Sequence, residues 1–140
     1  MPERYHWNGL QLQYPENWVI QEEDNTLNVE SPSGSFLTLS WPDDIAEAFD
    51  RVRQTMESEY DEVETEPLSR VVGESLLEGI TQRFVYLDLI ITSHLFKLET
   101  EEEDFAPLLV QIQGEDRDLE RMLPVFDAIL ASLFQTDDRA

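Results

Sequence analysis

Two segments at opposite ends of the chain bracket its fold. Residues 7–18, Trp-Asn-Gly-Leu-Gln-Leu-Gln-Tyr-Pro-Glu-Asn-Trp, read as a strand, a tight turn and the start of a second strand. Residues 119–134, Leu-Glu-Arg-Met-Leu-Pro-Val-Phe-Asp-Ala-Ile-Leu-Ala-Ser-Leu-Phe, read as an amphipathic helix. A strand at one end and a helix at the other set a small α+β domain between them, expected over residues 1–135, with 136–140 as a frayed tail. The bookends point to a fold rather than to a reaction.

Between them the apolar residues switch period. Leu10, Leu12 and Tyr14 alternate with Gln11 and Gln13, the period of a half-buried strand. Pro15-Glu-Asn17 breaks that strand, and Trp18–Gln21 resumes it. Leu27 and Val29 mark a third strand. Ser31-Pro-Ser-Gly-Ser35 is the clearest turn, and Phe36–Trp41 follows with Leu37, Leu39 and Trp41 on one face. Four strands joined by short turns predict an antiparallel meander. Asp44 and Glu47 have the spacing of a capping box, and Ile45, Ala48, Phe49, Val52, Met56 and Tyr60 share one helical stripe, so a helix is expected at about 43–60. A second meander follows. Its strands are expected at 70–77, 81–87, 90–100 and 105–113, with Glu78-Gly79 as a turn and Glu101–Asp104 as an acidic hairpin tip. Pro124 interrupts the closing helical stripe. It predicts either a kink or a short turn at 116–122 with the helix starting near 123. The sum is an antiparallel sheet of about six to eight strands, one helix after the first meander and one C-terminal helix.

Composition narrows the function classes. The chain of 140 residues is 41% hydrophobic and 10% aromatic, which favours a packed core over disorder. It has no cysteine, which excludes disulfides, thiolate metal sites and cysteine nucleophiles. No basic segment followed by an apolar run opens the chain, and Leu89-Ile-Ile91 is far too short to span a bilayer, so the cytoplasm is the expected compartment. There are 31 acidic residues against 9 basic ones, a net charge of −22. Such a charge repels nucleic acid and anionic membranes, and neither is expected as a partner. It suits a basic partner, a bound cation or plain solubility. Lys97 is the one lysine beside eight arginines, a balance expected of a protein living in high salt.

Catalytic patterns are missing at the level of sequence. His6 and His94 each read as structural strand residues, without the further ligands a zinc site needs. Ser33-Gly-Ser35 lies in a hairpin turn and lacks the context of a nucleophile elbow. The five glycines are too dispersed to cradle a phosphate. The acidic run Glu57–Glu66 reads as a solvated helix end and loop; it has no glycine for the sharp turn of a calcium loop. No catalytic residue, cofactor or metal ligand is therefore expected. Trp18 and Trp41 fit inward strand positions. Trp7, at the start of the domain, could with Tyr5 and Phe36 line an aromatic partner-binding cleft.

Tyr14-Pro-Glu-Asn-Trp18 after a leading strand, the two meanders with a helix between them, and Ile129-Leu-Ala-Ser-Leu133 near the end resemble the PsbP-like superfamily over nearly the whole chain. That group includes an extrinsic photosystem subunit, a Ran nucleotide-release factor and DcrB-type bacterial proteins. The resemblance implies an antiparallel sheet with helices on its faces and binding or adaptor roles without an active site. No functional residue carries over, because no site motif of the family stands in this sequence, and roles are not transferable on fold alone. The expected function is a non-enzymatic, intracellular protein-binding module whose partner is basic or carries an exposed apolar segment. The alternatives are a passive acidic domain solvated for high salt and an enzyme built on unrecognised carboxylates.

Overall fold

The computed structural model describes residues 2–7, 10–72, 75–98 and 107–133. Their elements run β1 (Pro2–Trp7), β2 (Leu10–Pro15), β3 (Val19–Glu23), β4 (Thr26–Glu30), β5 (Phe36–Ser40), α1 (Ile45–Glu59), β6 (Glu64–Val72), β7 (Ser75–Tyr86), β8 (Leu89–Leu98), β9 (Leu108–Glu115) and α2 (Asp116–Ser132). Seven strands form one sheet in the order β3-β4-β5-β9-β8-β7-β6, every pair antiparallel. The α+β class, the helix after the first strands and the C-terminal helix are as the sequence predicts.

The first meander is shorter than expected. Leu10–Tyr14 does not join it; β2 pairs with β1 in a separate two-stranded sheet, with Tyr5 opposite Leu12 and Trp7 opposite Leu10. The hydroxyl of Ser132 accepts the Gln13 amide at 2.8 Å and ties this hairpin to α2. Residues 2–6 carry no strong alternation of apolar and polar side chains, so β1 was not legible.

Strand alternation sorts the large sheet into two faces. Leu27, Val29, Leu37, Leu39, Val110 and Ile112 are fully buried on one of them. Phe96, Leu98 and Leu77 continue that core across β8 and β7. Over it lies α2, which buries Leu119, Phe126, Ile129 and Leu130. Trp18 meets Phe126 edge-on at 5.2 Å. The helix runs unbroken through Pro124. Pro124 and Glu120 both lie on its exposed side, so the Glu120 carbonyl left without an amide partner can be hydrated.

The opposite face carries α1. Asp44 caps it by accepting the Glu47 amide at 3.0 Å. No residue of α1 is fully buried. The helix rests on the sheet over β8 and β9, and specific contacts tie it to β7 and β8. Lys97 lies 4.9 Å over the Phe49 ring, Gln82 donates to the Arg53 carbonyl at 3.3 Å, and Tyr60 stacks on Phe84 at 4.0 Å.

Glu78-Gly79 is not a turn. Gly79 sits inside β7 opposite Phe96, and a Cβ there would fall 1.8 Å from the Leu95 carbonyl oxygen. The glycine marks a close approach of two backbones. The acidic stretch Glu101–Asp104, Phe105, Phe134 and the tail 136–140 lie outside the described residues.

Candidate functional site

Polar groups gather beneath α2, and each is fastened to another. His94 Nδ1 lies 2.8 Å from the Thr81 hydroxyl, both buried. Burial, with Arg70 and Arg83 nearby, pushes the His94 pKa down to about 4, so the ring is neutral near pH 7. Arg70 pairs with Asp127 of α2, and Thr92 donates to Asp116 at 2.7 Å. The Asp118 carboxylate is buried, which works to raise its pKa. Hydroxyls from Ser35 at 2.5 Å and Ser33 at 2.8 Å, with Arg121 at 2.8 Å, outweigh that and hold it low. The Arg70, Thr92 and Asp118 contacts clamp α2 to the sheet and to the 31–35 turn, while the His94–Thr81 bond joins β8 to β7. Among the described residues no three histidine, aspartate or glutamate side chains gather as a metal site would require.

The aromatic cleft foreseen from Tyr5, Trp7 and Phe36 is not assembled. Trp7 is 1% exposed and stacks on Trp41 at 4.8 Å, so its ring closes one end of the core. Tyr5 packs beside it, and its hydroxyl donates to Glu22 at 2.5 Å, a bond that raises its pKa. Phe36 alternates with the buried Leu37 and therefore faces the other side of the sheet. A hydrophobic ring at the chain's opening packs better against Trp41 than against water, and that preference decides its place.

The exposed apolar surface concentrates elsewhere, at the β7–β8 tip. Val85 is 63% exposed, Tyr86 51%, Leu87 77%, Leu89 51% and Ile90 52%. Tyr86 pairs with Leu89 across the last rung, and Leu87-Asp88 make the two-residue turn. Both turn residues have positive φ, 52° at Leu87 and 66° at Asp88, as a type I′ turn needs. Glycine and asparagine accept that conformation readily; leucine does not. The tip is braced from below, because Tyr60 stacks on Phe84 and meets the Tyr86 ring edge-on at 5.8 Å. Around the brace stand exposed acids: Glu59 ends α1, Asp61, Glu62 and Glu64 follow it, and Asp88 is on the turn itself. Arg83, directly opposite Glu64, is engaged by Glu66 at 3.7 Å and Asp116 at 3.9 Å.

Sequence reasoning passed over this tip. The strands expected at 81–87 and 90–100 leave a break at this place, but residues 84–91, Phe-Val-Tyr-Leu-Asp-Leu-Ile-Ile, form a nearly continuous apolar run that hides the period and with it the exposure of the tip. The lone Asp88 inside it was the available signal of a turn.

No protein-family model and no curated protein sequence matches the chain. Solved structures share its fold, two of them as follows. A protein of unknown function from Pseudomonas aeruginosa, PA94, superposes with a TM-score of 0.55 at 11% identity, covering 96% of this chain and 97% of that one. LpqN of Mycobacterium tuberculosis, involved in cell envelope biogenesis, superposes with a TM-score of 0.50 at 10% identity, covering 92% of this chain and 87% of that one. At such identities the likeness is one of fold, and the functional reading rests on the residues of this chain.

Proposed function

We propose that this chain is a non-catalytic protein-binding module that acts in the cytoplasm, an adaptor of PsbP-like type, and that the β7–β8 tip is its contact element. The observation that carries the reading is the tip itself: five large apolar side chains, each more than half exposed, on one hairpin end, with Tyr86 and Leu89 paired on one face, Val85 and Ile90 paired on the other and Leu87 at the turn between them. Exposed apolar residues scattered singly are ordinary, whereas a contiguous patch marks an interaction surface. The brace from Tyr60 supports the same reading, because a contact element held in place before binding loses little entropy on binding. The neutral His94, held at Nδ1 by Thr81, and the clamped Asp118 serve the fold in this reading, and neither is poised as an acid or base.

The test is capture of a partner by the full chain, followed by hydrogen exchange on the complex. Amides of residues 84–91 are expected to slow in the complex, and the double variant Tyr86→Ser, Leu89→Ser is expected to lose capture while remaining folded. Protection confined to another surface, or undiminished capture by the double variant, would overturn the assignment.

A further inference from the structure

The tip joins three properties that need one explanation. It is apolar and exposed. Its most exposed apolar residue, Leu87, occupies a left-handed conformation that a leucine adopts only at a cost in energy. Acidic residues flank it, Asp88 on the turn and Asp61, Glu62 and Glu64 after α1, and the nearest cation along β7, Arg83, is already engaged by Glu66 and Asp116. The first two together work against the isolated fold. Leu87 gains no burial in return for its strained φ, and asparagine or glycine at the same position would be relaxed and more soluble. Backbone strain held at an exposed position, with no internal contact to compensate it, is the pattern of a residue kept for something outside the molecule.

The charge says what kind of surface that is. Glu64 lies three residues along the ladder from the level of Tyr86, about 10 Å at the rise of a strand. Asp61 and Glu62 directly follow Tyr60, whose ring touches Tyr86, and Asp88 adjoins Leu87. The acids therefore stand within about one Debye length of the apolar side chains. A second copy of this chain, with its net charge of −22, would meet like charge there. An anionic bilayer would do the same.

Resting on the protein-binding reading above, we infer that the β7–β8 tip docks onto a basic, apolar-faced polypeptide segment. Leu87 with Tyr86 and Leu89 enters an apolar recess of the partner, and lysines or arginines bordering that recess meet Asp61, Glu62, Glu64 and Asp88. The apolar contact supplies residence, and the complementary charge supplies steering and selects against acidic partners.

The probes are three labelled helical peptides and neutral phosphatidylcholine vesicles, titrated against the full chain. One peptide carries leucines on one face and lysines on the other. The second replaces its lysines with glutamates, and the third keeps the lysines but replaces its leucines with serines. The lysine–leucine peptide is expected to bind. Leu87→Asn is expected to weaken it at least tenfold while the thermal midpoint stays or rises, since asparagine relaxes the turn. The triple variant Asp61→Asn, Glu62→Gln, Glu64→Gln is expected to weaken it comparably, and Leu89→Ser provides a second apolar probe should Leu87→Asn melt early. Equal binding of the lysine–serine peptide reduces the effect to bulk charge attraction and overturns docking. Equal binding of the glutamate–leucine peptide, lost in Leu87→Asn, overturns the basic partner but leaves the hairpin as contact element. Peptide binding undiminished in both Leu87→Asn and Leu89→Ser, or no binding at all, overturns the inference. Undiminished binding also counts against the hairpin assignment itself. Uptake by vesicles that Leu87→Asn abolishes, without peptide binding, assigns the tip to lipid instead.

Discussion

His94 sits on the α2 face of the sheet with Thr81 at its Nδ1, Arg70 and Arg83 as the nearest cations, and Asp116 and Asp127 as opposing anions. Burial and the two guanidiniums outweigh the carboxylates, and the pKa falls from 6.5 to about 4. The folded-state pKa is depressed, so the unfolded chain takes up the proton first. The stability His94 contributes is complete above pH 6.5 and is lost as the pH falls towards 4. A shift of that size corresponds to ~3 kcal/mol. The variant His94→Gln keeps a neutral amide near Thr81 and removes the titration. Its unfolding free energy, from urea titrations at several pH values, is expected to fall less steeply than the parent's between pH 6.5 and 4. Parallel profiles would mean that His94 accepts its proton without leaving the fold. Asp118 acts in the same direction at lower pH. Its pKa is depressed, so its contribution is lost only as the pH falls below 3.8. The two groups are separable by the pH at which each variant departs from the parent.

At the scale of elements, two contacts fix how strands and helices meet. Asp118, in the first turn of α2, gathers Ser33 and Ser35 from the turn between β4 and β5, and so ties the helix start to the sheet. Asp118→Asn keeps the shape but loses the charge that strengthens these bonds. It is expected to cost ~2 kcal/mol at pH 7, measured by urea denaturation. Gly79 does the corresponding work between β7 and β8. Alanine there would drive a methyl into the backbone at Leu95, and neither strand of a central ladder can yield without breaking its register. Gly79→Ala is expected to cost ~3 kcal/mol or more, whereas alanine at the exposed Glu78 beside it should cost under ~1 kcal/mol. Gly79 also shows where sequence reading ran out. A polar residue beside a glycine suggests a turn, and only the facing strand reveals that the missing Cβ makes room for a neighbour. The elements with clean periods were legible: Leu37 and Leu39 gave β5, Leu108, Val110 and Ile112 gave β9, and Asp44 with Glu47 gave the start of α1. The elements without them were not. Nothing in Pro2–Trp7 signals β1, and a nearly unbroken apolar run concealed the exposed β7–β8 tip. Of the aromatic trio, Trp7 went to the core because Trp41 offers it a ring to stack on, a long-range pairing that no local pattern encodes.

For the whole molecule the governing quantity is the surplus of 22 negative charges. The ion pairs on α1, Arg51 with Glu47 at 2.8 Å and Arg53 with Glu57 at 3.1 Å, are exposed or half-exposed and contribute little. A folded chain of this length has a radius of gyration of ~14 Å. At 0.01 M salt the Debye length is ~30 Å, so every carboxylate repels every other; at 1 M it is ~3 Å, and only immediate neighbours interact. Folding brings the charges together, so screening favours the folded state. The thermal midpoint is expected to rise by several degrees between 0.01 M and 1 M sodium chloride. Choline chloride separates general screening from cation binding. An equal rise with the bulky cation means screening, and a rise confined to sodium or potassium means that carboxylates hold the small ion directly. This global response is independent of the tip. Leu87→Asn should shift the whole salt curve without changing its slope, because it alters no charge, whereas Asp61→Asn, Glu62→Gln, Glu64→Gln should flatten the slope by removing three of the repelling groups. A slope that changes with Leu87 would link the tip to the acidic surface within the free protein, and the two would then not act independently.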